Sequence, residues 1–204
     1  MATIKNIIFD LGGVLLNIGY NNTSIAFKNL GIENFDEMFS QFKSDALFEK
    51  LETGNISEDD FYKAIKQVSP VPLTDKEINT AWDAMLLDFR IDSLNFLETL
   101  SSKYNLYLLS NTNAIHHRAF AITYQIETGK ISLDDYFIKA YYSHIVGLRK
   151  PNADIYEFVL ADGNMNAAET LFIDDSINNI ETANKLGLKT HHLLSEERIE
   201  NLGL

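Results

Sequence analysis

Five short apolar runs, each rich in β-branched or aromatic residues, recur along the chain with helical patterns between them. The runs are Lys5–Asp10, Asn105–Ser110, Ile138–Ser143, Thr170–Asp174 and Lys189–Leu194. Strands that alternate with helices predict a parallel sheet covered by helices on both of its faces. The 204 residues suffice for one such domain with a modest insertion. We therefore predict an α/β fold with a three-layer core.

The segment between about Asn17 and Asp88 shows no comparable strand and is predicted to be helical. Ser57 and Thr74 are placed as helix N-caps, each with an acidic residue three positions later. Apolar and aromatic residues recur at helical spacing, which favours a packed core over a ligand site. They include Phe27, Leu30, Phe35, Met38, Phe39, Phe42, Phe61 and Ile65. The pattern predicts a small helical module inserted after the first strand.

Composition excludes several classes of function. The formal charge of −12 argues against a nucleic-acid partner, because a phosphate backbone requires a basic face. The chain has no cysteine, which excludes thiolate chemistry and fits a reducing, cytoplasmic setting. No signal peptide is visible and the apolar runs are strand-sized, so we expect no membrane association. An anionic substrate would need a cation supplied at the site itself.

Polar side chains follow two of the predicted strands at the point where each strand ends. Asp10 closes the first run and is followed by Gly12 and a second glycine, while Ser110 and Asn111 end the second run. Ligands of such sheets bind at the carboxyl ends of the strands. A carboxylate there can act as a nucleophile or a metal ligand, and the hydroxyl and backbone amides can hold an anion.

Two later segments add a cation and a pair of carboxylates. Lys150 lies just before a helical pattern, an unusual place for a structural cation because the helix N-terminus is already positive. Asp174 and Asp175 are adjacent at the end of a buried strand, where they repel each other unless they serve a cation. Oxygen ligands without His or Cys indicate Mg²⁺.

Together these segments resemble the haloacid dehalogenase superfamily of aspartate-nucleophile phosphohydrolases. The resemblance rests on FDLGGVL, LLSNTN, RKPNADIY and FIDDSINNIETA, which occur in this order along nearly the whole chain. The branch most similar includes sugar phosphatases of the glucose-1-phosphate type and the N-terminal phosphatase domain of epoxide hydrolases. The resemblance implies a Rossmann-like core formed by residues 1–16 and 88–204, with a helical cap at 17–87.

The resemblance also implies roles for individual residues. Asp10 would attack phosphorus and form an aspartyl-phosphate. Ser110 and backbone amides near Asn111 would bind phosphoryl oxygens. Lys150 would neutralise charge shared by the nucleophile and the phosphoryl group. Asp174 would anchor Lys150 or a metal-bound water.

The metal site and the general acid follow from the same comparison. Asp175, the Asp10 carboxylate and the Gly12 backbone carbonyl would bind Mg²⁺. Many superfamily phosphatases have an acidic proton donor two residues after the nucleophile, where this chain has Gly12. Its absence predicts either a good leaving group or a proton relayed by water or a nearby side chain. His116, expected on the turn after LLSNTN, is the candidate for the relay; a surface histidine capping a helix is the alternative.

The favoured function is a Mg²⁺-dependent phosphatase of a small phosphorylated metabolite, with a sugar phosphate as the favoured kind. One alternative is metal-independent dehalogenase chemistry, in which the aspartate attacks carbon. Another is a non-catalytic protein that binds phosphate ligands but has lost turnover together with the general acid. Paired carboxylates argue against the first alternative, because they would repel a haloacid without a cation between them.

Overall fold

The computed structural model describes residues 3–38 and 46–204. Within them, seven strands form a five-stranded parallel sheet and a two-stranded antiparallel one. The strands are β1 (Asn6–Phe9), β2 (Leu16–Ile18), β3 (Leu86–Phe89), β4 (Asn105–Ser110), β5 (Lys139–Tyr142), β6 (Thr170–Asp174) and β7 (Lys189–His192). The larger sheet has the order β5-β4-β1-β6-β7, so all five predicted runs form strands of one sheet.

Helices cover both faces of the larger sheet, and the predicted α/β fold is confirmed. The described α-helices are α1 (Tyr20–Asn29), α2 (Phe35–Met38), α3 (Ala46–Glu52), α4 (Glu58–Val68), α5 (Asp75–Asp83), α6 (Ile91–Leu100), α7 (Ala114–Thr128), α8 (Ser143–Val146), α9 (Ala153–Asp162) and α10 (Ile177–Lys185). Three 3₁₀ turns lie at Leu133–Tyr136, Ala167–Glu169 and Ile199–Asn201. Across the described part of the chain, no helix combines the length and apolar character that a membrane span requires.

The alternation of side chains along β1 divides the core into two layers. Ile7 and Phe9 pack in one apolar cluster, and Ile8 packs in the other. Successive strand residues point to opposite faces, so a fully buried strand contributes to both layers. Phe9 is in register with Leu108 of β4 and with Ile173 of β6. This register brings the carboxyl ends of three strands to the same edge.

The helices between β2 and β3 have an apolar core of their own. Phe27 stacks on Phe35 with ring centroids 4.1 Å apart, and both side chains are fully buried with Trp82 in the same cluster. The two predicted N-caps are confirmed. Ser57 accepts a hydrogen bond from the backbone of the third helical residue of α4, and Thr74 forms a complete capping box at α5. Phe39 and Phe42 lie outside the described residues.

The prediction that this segment lacks strands is wrong at its two ends. β2 and β3 pair antiparallel where the chain leaves the parallel sheet and where it returns. They are only three and four residues long, and two residues of β3 are exposed. Such short runs lack the apolar signature of a buried strand, which explains why the pattern missed them. The division into residues 1–16 with 88–204 and residues 17–87 stays a prediction.

Candidate active site

The strand ends bring Asp10, Ser110 and Asp174 to one edge of the parallel sheet. Asp10 follows β1 directly, and its backbone N–H donates to the Ile173 carbonyl at 2.9 Å, which continues the pairing with β6. Ser110 and Asp174 are the last residues of β4 and β6. All three side chains are buried. The strand-end placement that the sequence suggested therefore gathers them around one point.

Lys150 lies between two of these carboxylates. Its Nζ is 2.8 Å from Asp10 Oδ1 and 2.7 Å from Asp174 Oδ2, and its side chain is only 1% exposed. Burial acts to lower the pKa of Lys150, but the charges and hydrogen bonds of the two carboxylates together raise it. The lysine is therefore held as a cation. A buried cation between two carboxylates can attract and orient an anionic group beside Asp10.

The oxygens of Asp174 are already used by the protein. Oδ1 accepts hydrogen bonds from the backbone N–H of Ser176 at 2.8 Å and from Nδ2 of Asn179 at 2.9 Å. Oδ2 accepts from Lys150 at 2.7 Å and from Asn179 at 3.1 Å. These contacts favour Asp174 as the anchor of Lys150, which is one of the two roles expected for it.

Asp10 has a different electrostatic environment. Burial raises its pKa well above the usual value, the Lys150 cation opposes this, and the charges of Asp174 and Asp175 raise it further. Oδ1 accepts both the Lys150 contact and a hydrogen bond from the backbone N–H of Leu11 at 2.7 Å. The carboxylate is thus oriented by two donors while crowded by two like charges.

Asp175 approaches the site because a glycine leaves room for it. Gly13 has φ of 71°, and a Cβ at this position would lie 2.1 Å from Oδ2 of Asp175. Any other residue at position 13 would collide with the carboxylate, so Gly13 has a steric function. Burial, and then the charge of Asp174, raise the pKa of Asp175 to about 6. The Asp175 backbone carbonyl also lies 2.9 Å from Nε2 of His192.

Three carboxylates meet at this point, and their arrangement fits a divalent cation. Asp10, Asp174 and Asp175 each offer an oxygen within 4.8 Å of the others. Among the described residues, these three acidic groups crowd together beside the Lys150 ammonium, and a divalent ion would stabilise their ionised forms. Carboxylates and a backbone carbonyl are the ligands that Mg²⁺ uses in proteins. Both oxygens of Asp174 already accept hydrogen bonds from the protein, which leaves Asp10 and Asp175 with more capacity for an ion. Metal binding by Asp10, Asp175 and the Gly12 carbonyl stays a prediction.

Asn111 fixes the loop that carries Lys150. Its side-chain amide donates to the Lys150 carbonyl at 2.8 Å and accepts from the Lys150 backbone N–H at 2.9 Å. The next backbone N–H, that of Thr112, donates to Oγ of Ser143 at 2.9 Å. The side chain of Asn111 therefore orients the lysine loop. The Thr112 N–H is thus already used within the protein. Phosphate binding by another backbone amide of this segment stays a prediction.

His116 lies on the first turn of α7, directly after LLSNTN, and it is buried, so the alternative of a surface histidine is wrong. Its Nε2 is 3.0 Å from the Trp82 carbonyl, and its Nδ1 is 3.2 Å from Nδ2 of Asn113. The Asn113 oxygen caps α7 by accepting from two backbone N–H groups, which fixes the amide orientation and requires the Nε2–H tautomer. Burial lowers the pKa of His116 to about 4, so the ring is neutral.

These contacts occupy both ring nitrogens of His116. The imidazole stacks on Trp82 at 4.7 Å, so it joins α5 of the inserted helices to α7 of the sheet layer. A proton relay would require one nitrogen to release its protein partner. The geometry therefore gives His116 the role of holding α5 against α7, although its ring still borders the cavity.

The cavity at the sheet edge has a volume of about 280 Å³. The residues proposed for phosphate and metal binding line it together with side chains from the inserted helices. Those from the inserted segment include Tyr20, Glu49, Glu52, Trp82 and Met85. Sequence reasoning missed Glu52, because a carboxylate on a helix usually indicates a solvated face.

A family model for haloacid dehalogenase-like hydrolases matches residues 4–187. The chain belongs to this family. A D-ribitol-5-phosphate phosphatase of Bacteroides thetaiotaomicron is 33% identical over 187 residues, which are 92% of this chain and 90% of the relative. A sesquiterpene phosphatase of Aspergillus oryzae is 30% identical over 200 residues, covering 94% and 91% of the two chains. Both relatives match at nearly full length.

Solved structures of haloacid dehalogenase-like hydrolases agree with this assignment. An aspartate-to-alanine variant of a family enzyme from Bacteroides thetaiotaomicron, in complex with magnesium and inorganic phosphate, is 34% identical with a TM-score of 0.91 and covers 98% of each chain. The L-2-haloacid dehalogenase of Xanthobacter autotrophicus is 15% identical with a TM-score of 0.61, covering 94% of this chain and 78% of its own. This second likeness concerns the fold alone.

Proposed function

We propose that this chain is a magnesium-dependent phosphohydrolase that cleaves a phosphate monoester of a small metabolite. The observation that carries the proposal is the pair of contacts from the buried Lys150 to Asp10 and Asp174 at the edge of the sheet. Phosphoryl transfer requires mainly positioning and charge stabilisation, which this arrangement supplies. The phosphatase relatives and the magnesium and phosphate complex of a family member support the same chemistry.

Asp10 is the proposed nucleophile. Its Oδ1 accepts hydrogen bonds from Lys150 and Leu11, and these two contacts orient the carboxylate. A bond forms between a carboxylate oxygen of Asp10 and phosphorus, and the bond between phosphorus and the alcohol oxygen breaks. A water then attacks the phosphorus of the aspartyl-phosphate, which releases inorganic phosphate and restores the carboxylate. Ser110, at the cavity wall, would hold a phosphoryl oxygen.

Asp10, Asp175 and the Gly12 carbonyl would hold the Mg²⁺. When bound, the ion would neutralise the clustered carboxylates and the charge of the phosphoryl group. Lys150 supplies a permanent positive charge beside Asp10, with Asp174 and Asn179 keeping it in place. Asp10 thus supplies the nucleophile, Lys150 the cation, and Asp174 the anchor of that cation.

The proton for the departing alcohol does not come from position 12, where the chain has glycine. General acid catalysis typically contributes about 10²- to 10⁴-fold, so its source affects the choice of substrate. We propose that a water in the cavity delivers the proton, or that the leaving group departs without one. Both routes are compatible with a buried, neutral His116.

Removal of the metal separates the proposed function from dehalogenation. We expect EDTA to reduce hydrolysis of phosphate esters to the background rate, and added Mg²⁺ to restore it, because the carboxylate cluster repels the phosphate without a cation. A panel of phosphorylated sugars, polyols and nucleotides, read by release of inorganic phosphate, provides the measurement. Release of halide from a 2-haloacid in the presence of EDTA would contradict the proposal and support attack on carbon.

Thermal unfolding should reveal the same site independently of turnover. We expect Mg²⁺ to raise the melting temperature of the unmodified protein, because ligand binding to the folded state stabilises it by about 2.7 kcal/mol at a hundredfold excess over Kd. Asp175→Asn should melt at a higher temperature in EDTA, because one repulsive charge is removed, and should lose the response to Mg²⁺. Asp162→Asn, which alters a surface contact with Lys139, is the control and should keep the response. An unchanged response in Asp175→Asn would exclude this residue as a ligand.

A further inference from the structure

An ion pair joins the inserted helices to the sheet layer inside the cavity. Oε2 of Glu52, at the end of α3, lies 3.2 Å from Nη2 of Arg149, the residue before Lys150. The two side chains are only 18% and 15% exposed, and both line the cavity. None of the phosphate and metal chemistry described above uses this pair. Because the pair lines the same cavity as Lys150, it is available to the alcohol part of a phosphate ester bound there.

The position of Glu52 is set by a close backbone contact. Gly54, two residues later, has φ of 67°, and a Cβ there would lie 2.4 Å from the carbonyl oxygen of His144 in α8. The segment after α3 thus rests directly on the backbone of α8, five residues before Arg149. This close approach, which only glycine permits, holds the end of α3 against the segment that leads to Arg149.

The pair presents donors and acceptors but no net charge. Burial raises the pKa of Glu52, while the Arg149 cation opposes this, which shows a carboxylate withdrawn from water beside its partner. Hydroxyl groups both donate and accept hydrogen bonds, so they match a carboxylate next to a guanidinium. A second anion on the substrate would compete with Glu52 for Arg149 and would also meet Glu49, which lines the same cavity.

We infer that Glu52 and Arg149 form a leaving-group subsite that selects uncharged, hydroxyl-bearing alcohols and rejects substrates with a second anionic group. The inference rests on the proposed phosphohydrolase function and names its substrate class: monophosphates of polyols or sugars. Glu52 is the residue that determines this selectivity. It neutralises Arg149, which on its own would attract a carboxylate or a second phosphate.

Three esters of equal chain length test this role. Ribitol 5-phosphate carries hydroxyls and a terminal alcohol, 5-phosphoribonate carries a carboxylate at the same terminus, and n-pentyl phosphate carries neither. We expect the unmodified protein to favour ribitol 5-phosphate over the acid by at least about tenfold in kcat/KM, the effect of one hydrogen bond to a charged group. Glu52→Gln should reverse or abolish this preference, mainly through KM, and leave n-pentyl phosphate within about twofold.

Two further variants complete the experiment. Glu58→Gln makes the same chemical change in an exposed ion pair with Arg118 and should leave all three esters unaffected. Glu52→Asp keeps the negative charge and should keep the preference for the uncharged substrate. If Glu52→Gln lost activity toward all three esters equally, as a misfolded protein would, Glu52→Asp would decide. Loss of the preference for ribitol 5-phosphate in this charged variant would overturn the inference.

The outcomes distinguish this inference from the proposed function. Inactivity of the unmodified protein toward every phosphate ester would contradict the phosphohydrolase function. The unmodified protein could hydrolyse phosphate esters while Glu52→Gln shows the same ratio of kcat/KM for ribitol 5-phosphate to kcat/KM for 5-phosphoribonate. That result would overturn the role of Glu52 alone. A shift of the ratio toward the acid supports the subsite.

Discussion

Asp10→Asn is expected to lower kcat for phosphate-ester hydrolysis by about 10⁴- to 10⁶-fold, the scale seen when a nucleophile is removed from an enzyme. An amide oxygen is a poor nucleophile and cannot form the acyl-phosphate. The protein should nevertheless fold, because Asp174 still pairs with Lys150 at 2.7 Å and one of three crowded carboxylates is neutralised. Initial rates of phosphate release at saturating substrate provide the measurement.

The matched control for this change is Asp162→Asn. Asp162 is a carboxylate in an exposed contact with Lys139, the first residue of β5, which lies at the opposite edge of the sheet from the strand ends. Its replacement should leave kcat within about twofold. Equal rates in Asp10→Asn and the unmodified protein would remove Asp10 from the chemistry. They would also leave the contact between Lys150 and Asp10 without a catalytic role.

Lys150→Met is expected to damage both activity and stability. The ammonium group is the partner of two buried carboxylates at 2.8 and 2.7 Å, and its removal leaves both without their cation. Breaking a buried ion pair from one side costs about 3–5 kcal/mol of folding free energy. Loss of a charge that stabilises the transition state lowers kcat by about 10²- to 10³-fold. Chemical denaturation and initial rates measure the two effects separately.

Lys5→Met provides the comparison for the lysine change. Lys5 forms a contact with Glu169 at 2.9 Å but is 62% exposed, so its loss should cost no more than about 1 kcal/mol. If Lys150→Met unfolded with the same free energy as the unmodified protein, the buried cation would not be the electrostatic centre of the site. Activity retained in Lys150→Met would exclude its role at the phosphoryl group.

The fold could be predicted well where strands are buried on both faces. Ile7, Ile8 and Phe9 before Asp10 are all apolar because neighbours on both layers cover them, and the run has the length of a strand. β2 and β3 could not be predicted, since they are short and β3 is half exposed. Their pairing depends on where the chain leaves and re-enters the sheet, which is a tertiary property.

The candidate site divides in the same way. Asp10, Ser110 and Asp174 could be predicted to meet, because parallel strands end at one edge and sequence position specifies the end. The contact of Glu52 with Arg149 could not, because it depends on how the inserted helices dock on the sheet layer. The burial of His116 could not be predicted for a related reason. Its two hydrogen bonds involve Trp82 and Asn113, and only the packed structure brings Trp82 to it.

The central claim is that Asp10 forms a covalent aspartyl-phosphate, which water then hydrolyses. Oxygen exchange tests this claim most directly. The protein would be incubated with ¹⁸O-labelled inorganic phosphate and Mg²⁺ in ordinary water, and the label followed by mass spectrometry. Reversible formation of the aspartyl-phosphate predicts progressive loss of ¹⁸O from phosphate, abolished in Asp10→Asn. Full retention of the label by a protein that hydrolyses phosphate esters would contradict the account.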